Sequence, residues 1–199
     1  IAQCLVGSEM CIRDRFKGDA LIMNILDIAK KRFSVRSYLD KEIPQETLNM
    51  ILEAAHVAPT AANMQPVKLL VVKSEESKQK LAKAANIYNA PIAIIVCADT
   101  TKAWTRPYDG MKTTDIDASI ITDHMMLTAT EQGLGSVWIC YFKPDILKNE
   151  FNLPEELEPI NILALGYTNE EADADRHDSQ RIPTVSYTHL RAHETLSDL

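Results

Sequence analysis

The sequence predicts a single α+β domain. Three observations carry this. Four apolar runs have strand length, five stretches have helical spacing, and no repeat or composition break divides the 199 residues into two units.

In chain order, Met23 to Lys31 places Ile25, Ile28 and Ala29 on one helical face, with lysines in the last turn where the helix dipole favours cations. A compact basic segment follows, Arg32-Phe33-Ser34-Val35-Arg36. Ile43 to Val57 returns to helical spacing, with Pro44 in the first turn, a stripe of Leu48, Ile51, Leu52 and Ala55, and Pro59 as its stop. Val67 to Val72 is a strand, and lysine-rich Ser77 to Ala85 an exposed helix. Pro91 to Ala98 is a continuous apolar run of central-strand type, in which Cys97 acts as a small buried hydrophobe.

Thr100 to Thr114 is an aromatic loop containing Trp104, Arg106, Pro107, Tyr108 and Gly110. It is either a surface loop pinned by its own aromatics or a substrate-facing lid, with Trp104 and Tyr108 as substrate contacts. Asp115 to Gln132 is the longest helix. Ile116, Ile120, His124, Leu127 and Thr128 trace one face, and Ile121, Met125 and Ala129 widen it. So broad an apolar surface needs more than one neighbour, at the centre of a domain or between two chains. His124 on that face is expected as a hydrogen-bonded core histidine rather than a catalyst. Gly133-Leu134-Gly135 ends the helix, Ser136 to Phe142 is a strand, Pro144 to Phe151 a short helix, and Pro159 to Leu165 the last strand. An acidic linker, 169–175, leads to Arg176 and Arg181 in loop-like sequence.

A net charge of −7 argues against nucleic acid and anionic membrane surfaces as partners, since both need a basic face. No apolar run approaches the ~20 residues of a membrane helix. The four cysteines show no close pair at metal or redox spacing, and there is no secretory pattern, so a reducing cytoplasm is expected. Residues 1–16 and 185–199 resemble translated sequencing-adapter read-through. They are expected to be a non-native leader and tail around a domain at 17–184. Cys4, Cys11, His189, His193 and Glu194 are accordingly set aside as decoys. A zinc site needs about four placed ligands, and none is expected.

The chemistry-bearing residues fall into four pieces. Arg32, Ser34 and Arg36 form R-x-S-x-R, a donor set suited to a phosphate or a flavin edge. Read alone, it is more simply a basic turn making surface salt bridges. PTAANMQP, from Pro59 to Pro66, puts the amides of Asn63 and Gln65 in a loop at the mouth of the sheet. GLGSVWIC, from Gly133 to Cys140, sets a glycine turn ahead of Trp138, where backbone can approach a flat ligand. It is too short for a phosphate loop. ALGY, at Ala164 to Tyr167, is followed by a later arginine.

In that order, over residues 23–183, these pieces resemble the FMN-dependent nitroreductase family. The resemblance implies an α+β fold, with a mostly antiparallel central sheet flanked by helices, and a homodimer with noncovalent FMN at the subunit interface. It implies that Arg32, Ser34 and Arg36 meet the phosphate-ribityl side and the ring's polar edge. Asn63 and Gln65 would read the ring or ribityl from the other side of the site, or from the partner chain. Trp138, Ile139 and Cys140 would cover one ring face, with the Cys140 N–H toward flavin N5. Arg181 would reach the phosphate, with Arg176 the alternative.

The implied activity is hydride transfer from NADH or NADPH to a small-molecule acceptor, a nitroaromatic or quinone, in a ping-pong cycle. No side chain is assigned as catalytic, because the chemistry belongs to the flavin. The competing class is a flavin-binding sensor or carrier without efficient turnover. The sequence departs from the family pattern at Phe33, where a basic or polar residue is usual, at Val67, where tryptophan is common, and at Cys140, often acidic or glycine.

Overall fold

A computed structural model describes residues 24–173 and 175–183. The expected leader and tail, with Cys4, Cys11, His189, His193 and Glu194, lie outside the described residues.

The fold is built on Ile92–Asp99 (β2). Seven apolar residues precede its only charge, and all eight positions are buried. Val67–Val72 (β1) pairs with one side of it and Leu157–Gly166 (β4) with the other. Gly135–Ile139 (β3) completes the order β1-β2-β4-β3, with every pairing antiparallel. Ser34 adds an isolated parallel bridge to Ser136 outside β3.

The register fixes the geometry. Val67 lies opposite Ala98, Ile92 opposite Leu165, and Gly135 opposite Gly166. The start of β1 and the start of β3 therefore occupy opposite edges and opposite ends of the sheet.

Gln45–Val57 (α2) and Thr114–Glu131 (α4) cover one sheet face. Leu48, Ile51, Ile121 and Met125 from these helices meet Ile94, Val96, Leu163 and Leu165 there. Glu75–Ala82 (α3) and Pro144–Phe151 (α5) cover the other, bringing Leu81 and Leu147 onto Ile95, Ile139 and Ile162. Alternation along each strand sends neighbouring residues into different cores. Ile25–Lys31 (α1) packs on α4, and Arg176–Ser179 (α6) is a single turn near the C-terminal end of the described chain.

Several boundaries differ from expectation for local reasons. Pro44 caps α2 from outside rather than sitting in its first turn. α3 starts at Glu75, because the Ser74 hydroxyl caps it by accepting the Ser77 N–H, and it is anchored by fully buried Leu81 rather than exposed throughout. β3 stops at Ile139, so Cys140 to Phe142 lie beyond it, and Arg176 opens a helical turn instead of a loop.

The largest difference is on α4. The sheet takes the face carrying Ala118, Thr122, Met125 and Ala129, where two alanines let the helix approach closely. The expected face of Ile116, Ile120, His124 and Leu127 is only half-covered, and Ile116 keeps 45% of its surface exposed. His124 is hydrogen-bonded, Nδ1 lying 2.8 Å from the Ile120 carbonyl, but it is half-buried rather than in the core.

Glycine is required at two tight points. A Cβ on Gly135 would lie 2.7 Å from the Val35 side chain, and one on Gly166 would lie 2.7 Å from both Pro91 and Tyr38. The close approach at Gly135 is thus to the chain itself.

Tyr38 sits over the end of β4, its hydroxyl between the carbonyls of Val35 (3.2 Å) and Ala164 (3.3 Å). Burial pushes its phenol well above the ordinary value, Glu170 adds to the rise, and Arg36 opposes it. A raised folded-state pKa means the stabilisation is whole below the unfolded value of about 10 and is lost as pH climbs past it. Urea midpoints should therefore fall above about pH 10. Tyr38→Phe should flatten that fall while costing about 1 kcal/mol at neutral pH. An unchanged alkaline slope in the variant would contradict this.

Candidate functional site

Arg32 follows directly on α1, and the next residues run along β3, with the Val35 N–H donating to the Ser136 carbonyl at 3.0 Å. This places Arg32 and Ser34 at the β3 edge of the sheet. The turn of α6 brings Arg176, His177, Gln180 and Arg181 against them, around a cleft of about 300 Å³. Three guanidinium groups share this corner, and among the described residues none is in an ion pair.

The crowding is visible in Arg32. Its pKa is lowered by burial first, then by Arg181 and Arg176, with Asp123 acting weakly the other way. Arg176 is committed to backbone. It donates to the carbonyls of Lys30, of Arg32 (3.2 Å) and of Asp173 (2.8 Å). The His177 Nε2 lies 3.1 Å from the same Lys30 carbonyl. For Arg181, by contrast, no hydrogen bond is seen among the described residues.

Arg36 is exposed. Its guanidinium donates to the Ser34 carbonyl at 3.3 Å, and its backbone N–H donates to Glu170 at 2.9 Å. Three guanidinium groups, a serine hydroxyl and an amide fit a phosphate monoester, because an anion of about two charges relieves the repulsion and accepts several charge-assisted hydrogen bonds.

Along the same edge, Trp138 is half-buried on the α4 face and Cys140 is exposed just past the strand. Cys140 lies about 13 Å from Ser136 along the chain, at 3.3 Å per residue. The Ile139 side chain points to the opposite core, so only its backbone faces this way. An elongated ligand with an anionic end at Arg32 and a flat body near Trp138 and Cys140 matches this edge.

The remaining expected residues lie elsewhere. Asn63 and Gln65 precede β1, which begins opposite Ala98, and both are exposed. Three strand spacings and six residues of β2 separate that corner from the arginines, roughly 25 Å in all. The α4 helix gives the same measure. Asp117 contacts the amide loop and Thr130 lines the pocket behind Arg32, thirteen residues or about 20 Å apart.

The loop is internally tied. The Gln65 N–H donates to the Thr60 hydroxyl (3.1 Å), and the Gln65 amide donates to Asn63 Oδ1 (3.1 Å). Ala62, Asn63 and Gln65 all have positive φ. The aromatic segment sits at this same corner. It is a hairpin with Thr105 paired to Lys112 and Arg106 forked onto Asp109, and it holds Trp104 half-buried and Tyr108 96% exposed.

One chain therefore gathers Arg32, Ser34, Arg36, Arg176 and Arg181 at one corner, with Trp138 and Cys140 farther along the same β3 edge, and Asn63, Gln65, Trp104 and Tyr108 at the opposite corner. Sequence reasoning missed His177 and Gln180, which reach the cleft only because α6 folds back on α1. It also missed Asp117, whose burial no local pattern announces.

Comparison with known proteins gives this arrangement a context. The profile of the Nitroreductase family matches residues 29–87 and 79–167. The chain is similar to a solved nitroreductase family protein from Clostridium difficile 630, at 52% identity and a TM-score of 0.82, covering 87% of this chain and all of that one. It is 34% identical over 163 residues to a protein of Archaeoglobus fulgidus, described as a candidate NADH dehydrogenase/NAD(P)H nitroreductase, covering 76% of this chain and 91% of the relative. A solved FMN-dependent nitroreductase from Clostridium difficile R20291 shares 28% identity and a TM-score of 0.64, over 79% of this chain and 97% of that one. With the family profile spanning well over half of its length, and the four-stranded antiparallel fold in agreement, this chain belongs to the nitroreductase family.

Proposed function

We propose that the protein is an FMN-dependent oxidoreductase working as a homodimer, oxidising NADH or NADPH and reducing nitroaromatic, quinone or similar acceptors. The observation that carries this reading is the corner where Arg32, Arg176 and Arg181 converge beside Ser34 with no paired acid among the described residues. When bound, FMN would supply the hydride chemistry between nicotinamide and acceptor.

The chain's own work is to bind, orient and leave one face open. Arg32, Arg181 and Ser34 hold the phosphate, with Arg36 nearby and Arg176 bracing the cleft through backbone carbonyls. Trp138 covers ring surface, Ile139 contributes backbone, and the Cys140 N–H serves as a donor to the ring. Asn63 and Gln65 read its polar edge from the partner subunit, because a two-fold axis is what can bring opposite corners together. Apolar side chains left exposed on one chain support such pairing. Ile25 is 67% exposed on α1, Leu26 lies beside it, and Ile116 is on the uncovered side of α4.

No described helix is long and apolar enough to cross a membrane. The described cysteines, Cys97 and Cys140, are free thiols, which suits a cytoplasmic enzyme. NADH and NADPH oxidation by the purified protein, assayed with a panel of acceptors, tests the function. Absence of turnover in a protein that holds FMN would favour the sensor or carrier class instead.

The hairpin carries its own prediction. Replacing both Trp104 and Tyr108 by alanine should raise acceptor KM about five- to tenfold while leaving the nicotinamide half-reaction near parent rate, since remote contacts act on binding. Unaltered kinetics for every acceptor would make the hairpin a structural element only.

A further inference from the structure

We propose that Asp117 is a positioning residue, a single buried carboxyl group that sets both the Asn63–Gln65 loop and the Trp104–Tyr108 hairpin, and so ties cofactor recognition to acceptor contact. The proposal rests on the FMN reading above for its functional consequence and on geometry alone for the tether.

Asp117 lies in the first turn of α4, where the helix end favours an acidic side chain, and it is completely buried. Both of its oxygens accept. Oδ1 takes the Ala61 N–H at 2.9 Å, and Oδ2 takes the Thr113 hydroxyl at 3.0 Å. No cation is paired with it among the described residues.

On the loop side, Ala62, Asn63 and Gln65 hold left-handed conformations that side chains with a Cβ adopt reluctantly. Such a run persists only where its surroundings fix it. The bonds among Thr60, Asn63 and Gln65 tie the loop to itself, and the Asp99 N–H holds Pro66 at its exit. The Ala61–Asp117 bond is what fastens its entrance to α4. On the hairpin side, the Thr113 N–H donates to the Trp104 carbonyl at 3.0 Å, closing the base of the segment that presents Tyr108. Asp117 thus sits where the two ring-facing and acceptor-facing segments meet, with no group of its own reaching either ligand.

Three variants of the full-length protein test this by amide hydrogen exchange, FMN titration and steady-state kinetics. Asp117→Ala should speed exchange at Ala61 and across the hairpin by about tenfold or more, leave the protection of β2 intact, and raise the FMN dissociation constant about tenfold. Asp117→Asn keeps one acceptor for Ala61 and a donor for the Thr113 hydroxyl, so it should restore Ala61 protection and bring FMN affinity within about threefold of the parent. Thr113→Val removes the hydroxyl's bond to Asp117 and its longer contact with the Trp104 carbonyl (3.4 Å), and leaves the Ala61 bond in place. It should speed hairpin exchange and raise acceptor KM about fivefold with FMN affinity unmoved.

Parent-like exchange at Ala61 in Asp117→Ala would overturn the proposal, as would Asp117→Asn as impaired as Asp117→Ala. If Asp117→Ala does not fold, parent-like hairpin exchange and acceptor KM in Thr113→Val overturn it. A parent protein that takes up no FMN defeats the functional reading instead, and the exchange measurements then still decide the tether.

Discussion

Arg32→Ala is expected to weaken FMN binding by roughly 10- to 150-fold, the range for losing one charge-assisted hydrogen bond, without lowering the stability of the flavin-free protein. Unchanged stability is what separates a ligand-binding arginine from a structural one. Arg32 is part-buried with Arg181 and Arg176 around the same cleft, so burial first and like charge second disfavour its cation there. Removing it relieves that crowding when no anion is bound, so the melting temperature of the flavin-free variant should equal or exceed the parent's. A structural arginine would behave the other way, with stability falling and FMN affinity following only indirectly. Arg36 is exposed, and its guanidinium is already engaged with the Ser34 carbonyl, so Arg36→Ala should weaken FMN binding less than Arg32→Ala does. Fluorescence titration with FMN and a thermal melt of the stripped protein measure both quantities.

Two variants defective in FMN binding should regain activity when combined, at an FMN concentration that fills only parent sites. If each site takes its arginines from one subunit and its amides from the other, an Arg32→Ala homodimer and an Asn63→Ala,Gln65→Ala homodimer are each defective at both sites. A mixed dimer concentrates both defects in one site and leaves the other whole. Random pairing makes half of the dimers mixed, so co-expression should recover roughly a quarter of parent activity. The ~25 Å between the two corners of one chain is the physical basis for this expectation. A site contained in one chain would give no recovery above the separate variants.

Much of the architecture was legible because it rests on local periodicity. The apolar run at Ile92 became the fully buried central strand, Leu48, Ile51 and Ala55 became the inner stripe of α2, and Cys97 is a buried hydrophobe whose thiol is pushed up to about 12 by burial. On α4 the expected Ile121, Met125 and Ala129 are buried, while Ile116, Ile120, His124 and Leu127 are not, because the helix is apolar on several sides and periodicity does not choose among them. Which side meets the sheet was decided by the small residues Ala118 and Ala129, not by hydrophobicity. The candidate residues stood in motifs, but where the fold would place each motif could not be read from the motifs themselves. R-x-S-x-R and PTAANMQP are about thirty residues apart in sequence and diagonal across the sheet, a relation that only strand order and register determine. His177 and Asp117 had no local signal, since a lone histidine in a polar segment and an aspartate in a first helical turn are both ordinary surface features.

The most direct measurement is the flavin content of the purified protein. An absorption spectrum combined with the mass of the assembly in solution should show a dimer of yellow protein carrying, or taking up on titration, one FMN per chain and two per dimer. A protein that stays colourless with FMN in excess, or binds flavin equally well as an isolated single chain, would contradict a site assembled from two subunits around the Arg32 corner.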